Sequence, residues 1–314
     1  MIEILLLLAL PASGKSELRR YLDSLDREEG LHTLGIGPTV QIDDFPYVHL
    51  MRRLSQEAIG VGADPPFFRD DEGTFIDGRD WGTLIQLINE DFGFLTDSPV
   101  HDGSAGNWLT ARLAEARANV GGDPYFPLLP PNLRSRIELA IEAEARDLFD
   151  EICKRRWGPG QTIVIEFARG MPAGSECPPP PPMGYGYSLP LLAPEILEKA
   201  RILYVQVSPE ESRQKNRERT VVGEEGSILH HGVPEQVMLG DYGGDDAVWL
   251  MKSATRPGTI DVSRDSRKYQ VPAAVFDNRG DLTSFLRAEP ESWGIEDLTV
   301  LRVRLEEAFG LLRA

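Results

Sequence analysis

The residues best equipped for chemistry open the chain: Ala9-Leu10-Pro11-Ala12-Ser13-Gly14-Lys15-Ser16 follows an aliphatic run over 2–8 broken only by Glu3. A small-residue turn that ends in Gly-Lys-Ser and leads into a helical pattern aims successive backbone N–H groups inward, a concave donor set for polyphosphate oxygens. The pattern is Gly-x-x-x-x-Gly-Lys-Ser/Thr with Ala9 at the first position, so that corner must take a conformation open to alanine. Pro11, Ala12, Ser13, Gly14, Lys15, Ser16 and Glu17 then form the expected phosphate-contacting run. Lys15 would reach the β- and γ-phosphates, and the Ser16 hydroxyl would ligate a bridging Mg²⁺. ATP and Mg²⁺ are the expected cofactors. The competing reading is a chance Gly-Lys-Ser after an apolar strand.

Three more groups of polar residues stand where strands should end. Asp43 and Asp44 follow a β-prone run over 39–42, where a carboxylate can serve as general base toward a hydroxyl, hold the water shell of Mg²⁺, or cap the next helix. Glu166 and Arg169 follow 162–165, placing a second acid for metal-bound water beside a cation for phosphate; a local ion pair explains them equally. Arg213, Lys215, Arg217 and Arg219 reverse the local charge of an acidic chain, with 213 and 217 one helical turn apart, as a lid over ATP or as a solvated basic face.

The elements that must position these groups read as alternating strands and helices. Strands are expected at the N-terminal run, 39–42, 162–165, 202–207 and 271–276, the first and third continuous and apolar enough to be buried on both faces. Helices are expected after Lys15, over 108–118, over 132–157, over 194–200, from Pro209 behind a Ser208 cap, over 282–287 and over 295–312. Residues 60–131 exceed an ordinary crossover and read as an insertion serving as acceptor site or lid, with Arg79, Asp80, Trp81 and Trp108 as candidate acceptor contacts. Residues 208–245 form the lid region, with Gly223-Glu224-Glu225-Gly226 supplying mobility and Ile228-Leu229-His230-His231 in the closing segment. The run Pro178 to Pro182 and then Met183-Gly184-Tyr185-Gly186-Tyr187 excludes helix and inner strand and predicts a stiff wall whose tyrosines stack on a base or sugar.

Composition narrows the classes. A formal charge of −17 over 314 residues argues against a nucleic-acid surface, and no apolar stretch is long enough for a bilayer. Cys153 and Cys177 show neither a disulfide framework nor zinc spacing, so a reducing cytoplasm is the expected setting. The expected partner is a small-molecule acceptor, with no nucleic acid and no membrane; the sequence leaves a homo-oligomer open.

Asp43-Asp44-Phe45-Pro46-Tyr47 resembles the Asp-(Asp/Ser)-Phe-Tyr motif that ends the second strand of P-loop kinases of the uridine kinase and nicotinamide riboside kinase type, with Pro46 interrupting it here. In that family the first Asp acts on the acceptor hydroxyl, which implies Asp43 as base. Glu166 with Arg169 looks like the Glu-Arg-Ser element of deoxynucleoside kinases, here with two residues between acid and arginine. Arg213-x-x-x-Arg217 resembles the lid motif of deoxynucleoside and nucleoside monophosphate kinases. Asn278 and Gly280 look like the loop, often Asn-Asp-Gly, that passes beside adenine. The resemblance implies one α/β domain over 1–314, a three-layer P-loop fold with a parallel five-stranded sheet in the order 2-3-1-4-5 and a largely helical insertion. It implies ATP-dependent phosphoryl transfer to a small hydroxyl acceptor such as a nucleoside or nucleotide. The alternatives are a P-loop ATPase acting as a nucleotide-dependent switch on a protein partner, with Glu166 orienting water, and a non-catalytic nucleotide site.

Overall fold

Five aliphatic residues in a row, Ile4–Leu8, form β1 and bury every side chain, because a strand with neighbours on both edges and helices on both faces has no solvent side. The computed structural model describes residues 1–101, 103–221 and 232–313. Its sheet contains β1, β2 (Thr39–Asp43), β3 (Thr162–Phe167), β4 (Ala200–Gln206), β5 (Thr259–Arg264) and β6 (Arg267–Asp277). The order is β2-β3-β1-β4-β6-β5. β1 runs parallel to β3 and β4, with Leu7 opposite Glu166 and Leu8 opposite Phe167 and Tyr204. β4 is also parallel to β6.

This α/β sheet is therefore six-stranded and mixed, not the expected five parallel strands. The added strand, β5, pairs antiparallel with β6, and the hairpin turns on Asp265 (φ 47°) and Ser266 (φ 67°). Two central residues at positive φ are what a two-residue hairpin needs to match strand twist. Asp-Ser carries no glycine, so this turn hides in the sequence.

The helices are α1 (Lys15–Ser24), α2 (Arg27–Thr33), α3 (Phe45–Gly60), α4 (Asp80–Phe94), α5 (Ala105–Asn119), α6 (Pro131–Ala140) and α7 (Glu142–Lys154). They continue with α8 (Gly184–Ser188), α9 (Pro194–Lys199), α10 (Pro209–Val221), α11 (Glu235–Gly240), α12 (Ala247–Ser253) and α13 (Ile295–Arg313). The segment expected as one helix over 132–157 breaks at Ile141 (φ −102°, ψ 4°) into α6 and α7. Gly184–Ser188 is helical, against the expectation for that stretch. The expected helix over 282–287 shrinks to a 3₁₀ turn at Ser284–Arg287.

The chain divides into two compact units, Met1–Gln41 with Gly158–Ala314, and Ile42–Trp157. In the first, alternate residues of the sheet sort by face. Leu5, Leu7, Val164, Leu203, Val205 and Phe276 share a core with Leu18 and Leu22 of α1 and Leu301, Leu305, Phe309 and Leu312 of α13. On the other face Phe167 meets Tyr185 of α8, ring centroids 6.0 Å apart. Each buried leucine or phenylalanine contributes about 1.5–3 kcal/mol, so this double-sided burial fixes the strand ends that carry the polar loops.

The second unit, which contains 60–131, is helical and packs around Tyr47, Leu54, Phe67, Leu84, Trp108 and Phe126. Arg112 is buried inside it, held by Glu90 (2.6 Å), Asp91 (2.8 Å) and the Tyr47 hydroxyl (3.0 Å), with its guanidinium 4.6 Å from the Trp108 ring. A buried guanidinium needs this many acceptors and a ring face to offset its lost hydration.

Candidate functional site

The turn after β1 is shaped by two residues at positive φ, Ala12 (53°) and Gly14 (98°), and not by Ala9. Gly14 stands in the left-handed region as the residue that opens α1, and its O accepts Leu18 N–H at 2.9 Å. A side chain there would collide with Thr283 Oγ1 and lie 2.7 Å from Asn278 Nδ2, so only glycine fits.

Alternate carbonyls of the turn accept hydrogen bonds from side chains. Ala9 O accepts from Lys15 Nζ (3.2 Å) and the Tyr185 hydroxyl (3.1 Å), Pro11 O from Ser212 Oγ (2.8 Å), and Ser13 O from Asn278 Nδ2 (2.7 Å). The N–H groups of Ala12, Ser13 and Gly14 have no hydrogen-bond partner among the described residues, and neither has the buried Ser13 hydroxyl. Buried donors without acceptors are rare, and a set of them at a helix N-terminus makes an anion site.

Ser16 lies half-buried in the first turn of α1. Glu17 is buried and bonded by Arg287 Nε at 2.7 Å, so it stabilises the turn. No group of three or more His, Cys, Asp or Glu side chains among the described residues is arranged to hold a metal. A hydroxyl at Ser16 suits a water-rich magnesium, which takes few protein ligands.

Asn278 is fully buried and its groups are spent internally. Nδ2 also donates to Thr283 Oγ1 (2.9 Å), Oδ1 accepts from Leu282 N (2.7 Å), and its backbone N–H donates to Gln206 O (2.9 Å). The Gly280 N–H is likewise used, donating to Glu211 Oε1 at 3.1 Å. Both residues therefore act here as braces, tying the loop after β6 to the turn after β1 and to α10.

α10 starts as the sequence predicts. Ser208 Oγ accepts from Glu211 N (3.1 Å) while Glu211 Oε2 accepts from Ser208 N (2.7 Å), a reciprocal capping box with Pro209 in the first helical position. Arg213 pairs with Glu210 (3.0 Å) and Arg217 with Glu235 (3.5 Å), and Lys215, nearly buried, reaches Asp281 at 2.9 Å. The expected mobile glycines 223–226 and the closing segment 228–231 lie outside the described residues.

Glu166 is inside β3, not beyond it, and on the α1 face of the sheet, where Arg19 pairs with it at 3.3 Å. Arg169 is buried, with Nε donating to Ser188 Oγ (3.1 Å) and the guanidinium 5.1 Å from the Phe167 ring. Glu166 and Arg169 thus serve different partners. Asp43 ends β2, and its Oδ1 accepts the Phe45 N–H at 2.8 Å, so it caps α3; Asp44 makes no capping bond.

The expected acceptor contacts in 60–131 are largely taken up by packing in their own unit. Asp80 pairs with Arg117 (3.0 Å), Trp108 stands edge-on to Phe149 (5.0 Å), and Trp81 edge-on to Phe75 (4.8 Å). Burial pushes the Asp80 carboxyl up to about 6 against the pull of Arg117. Arg79 pairs with Asp77 at 2.6 Å.

Sequence reasoning missed Asp245 and Asp246, which lie beside the turn. Asp246 accepts the N–H groups of Tyr185 (2.7 Å) and Gly186 (2.9 Å) at the start of α8. A Cβ on Gly184 would lie 2.7 Å from its carboxylate and one on Gly186 3.0 Å, which explains the spacing Gly-Tyr-Gly-Tyr. Asp245 accepts the Tyr204 hydroxyl (2.7 Å) on Oδ2 and Ala247 N–H (2.9 Å) on Oδ1. The available signal is glycine: Gly170 and Gly243 each face opposing backbone so closely that no Cβ fits, clamping 241–244 to the end of β3.

Set against known proteins, the chain matches no family model and no curated protein.

Proposed function

We propose that the chain is a small-molecule kinase that transfers the γ-phosphoryl of ATP to a hydroxyl-bearing acceptor, of which a nucleoside or nucleotide is the favoured class. The observation that carries this reading is the buried, partnerless Ser13 hydroxyl within a turn whose Ala9, Pro11 and Ser13 carbonyls are each engaged by a side chain. Such a turn is complementary to an anion with several oxygens. The opening of α1 behind it adds the positive end of a helix dipole.

In this reading the amides of Ala12, Ser13 and Gly14 hold the β-phosphate, and Lys15 leaves Ala9 O to reach the β- and γ-phosphates. The Tyr185 hydroxyl stays on Ala9 O, so the turn keeps its shape when the lysine moves. Magnesium, carried by Ser16, would neutralise charge on the two phosphates. Asp43 either takes the acceptor's proton, as the resemblance implies, or holds magnesium-bound water. Arg213 and Arg217 exchange surface carboxylates for phosphate oxygens as the lid closes and excludes water. An assay of ADP release across nucleosides, nucleotides and hydroxylated sugars tests this. Stimulation by at least one acceptor is expected, and no stimulation by any, with release following a protein partner instead, would favour the switch.

A further inference from the structure

Two donors meet on one carbonyl in the first unit, and a hydroxyl–carboxylate pair lies in the adjoining strand and loop. Lys15 Nζ and the Tyr185 hydroxyl both donate to Ala9 O, Tyr204 lies opposite Leu8 in the next strand, and the Tyr204 hydroxyl donates to Asp245. Lys15 is close enough for its charge to act on Asp245. The other acids of this neighbourhood are committed: Asp246 is buried on two N–H groups, and Glu166 pairs with Arg19 on the opposite face of the sheet. Asp245 is half-buried, and each of its oxygens accepts one hydrogen bond and retains a second lone pair.

We propose that Asp245 is the carboxylate that takes the acceptor's hydroxyl proton, an inference that rests on the phosphoryl-transfer reading. As the acceptor oxygen attacks the γ-phosphorus, a new O–P bond forms. The bond to the β,γ-bridging oxygen breaks, its electron pair leaves with ADP, and the hydroxyl proton passes to Asp245 and then to solvent. Tyr204 is a positioning residue that fixes the carboxylate plane.

The charged and titratable groups facing Asp245 are Tyr204 on β4, Asp246 beside it, Lys15 on α1, and Tyr185 and Cys177 on the 177–188 segment. Burial raises its carboxyl to about 6, while the Tyr204 hydroxyl, the Ala247 N–H and Lys15 pull it back. A base titrating there is ionised at neutral pH and still basic enough to accept a proton.

The test uses the full chain as wild type, Asp245→Asn, Tyr204→Phe and Asp43→Asn. It reads binding of a fluorescent ATP derivative with Mg²⁺, and kcat for ADP release, with water and with the acceptor panel, from about pH 5 to about pH 8. Asp245→Asn is expected to bind nucleotide within about twofold of wild type, to lose about 100-fold or more in kcat, and to lose the acid limb of the pH profile. Tyr204→Phe is expected to move that limb to higher pH, because the carboxylate loses a donor, a change that a purely structural role would not produce. If Asp245→Asn does not fold, the Tyr204→Phe limb decides: a shift supports the proposal and an unmoved limb overturns it. Retention of kcat within about threefold in Asp245→Asn, or loss of the limb in Asp43→Asn and not in Asp245→Asn, also overturns it. Failure of wild type to bind nucleotide or to turn over with any acceptor, water included, removes the kinase reading itself and is distinguishable from these results.

Discussion

Asn278→Ala separates a brace from a base-reading residue. The substitution deletes three side-chain hydrogen bonds, to Ser13 O, Thr283 Oγ1 and Leu282 N. The threonine hydroxyl can rotate to another acceptor, but Ser13 O is buried and Leu282 N half-buried, and both lose their partner. At about 1–3 kcal/mol for each group left unpaired, less for the half-buried amide, the loss is about 2–4 kcal/mol. Urea unfolding should show the midpoint falling with an unchanged slope. Nucleotide affinity should fall with it, because Ser13 O is released to swing inward and cancel the donor array. ATP and GTP should weaken together, their ratio changing less than about twofold, since no atom of Asn278 is left to read a base. Stability within about 0.5 kcal/mol of wild type would refute the bracing argument. So would a selective loss of ATP binding, which would return Asn278 to the role its resemblance to the adenine loop implies.

Lys15→Ala should abolish transfer, lowering kcat by at least about 100-fold, while melting temperature stays within a few degrees because Tyr185 still satisfies Ala9 O; a large fall in melting temperature would make Lys15 structural instead. Gly184→Ala should destabilise by about 2–4 kcal/mol, combining strain at φ 75° with a Cβ 2.7 Å from Asp246, and calorimetry showing no change would remove that contact from the account. Ser208→Ala should cost about 1 kcal/mol through loss of the α10 cap, read by denaturant midpoint. The Ser208 N–H, followed by Ser208 Oγ and the Gly280 N–H, holds the Glu211 carboxyl below its usual 4.5, so its stabilisation is complete above that value and is lost as pH falls through the lowered folded value. Glu211→Gln should therefore flatten the acid side of the stability curve, and a curve parallel to wild type would contradict the capping geometry.

What the sequence disclosed was the part governed by local rules. Continuous apolar runs name β1 and β3 because such strands are buried on both faces, and Ser208-Pro209 with Glu211 marks a helix start whose bonds are formed as expected. Lys15, Ser13 and Gly14 lie in one turn because their neighbours in sequence are their neighbours in space. What stayed hidden depends on distant segments. Asp245 falls at the end of the span expected as the lid and Asp246 just past it, and their meaning appears only when Gly170 and Gly243 let two backbones touch. The hairpin of β5 and β6 turns on two non-glycine residues, and the break at Ile141 separates two helices that both pack against α5, which period alone does not reveal. Asn278 was legible as a special residue, but its spent hydrogen bonds were not.

The proposed activity requires that the turn from Ala9 to Ser16 bind a polyphosphate. Titration calorimetry of wild type and Lys15→Ala with a non-hydrolysable ATP analogue, with and without Mg²⁺, measures it most directly. Saturable one-to-one binding is expected, strengthened by Mg²⁺ and weakened about 10- to 100-fold by Lys15→Ala, the value of a charged hydrogen bond. No binding at about millimolar analogue, or equal binding by the two proteins, would contradict it.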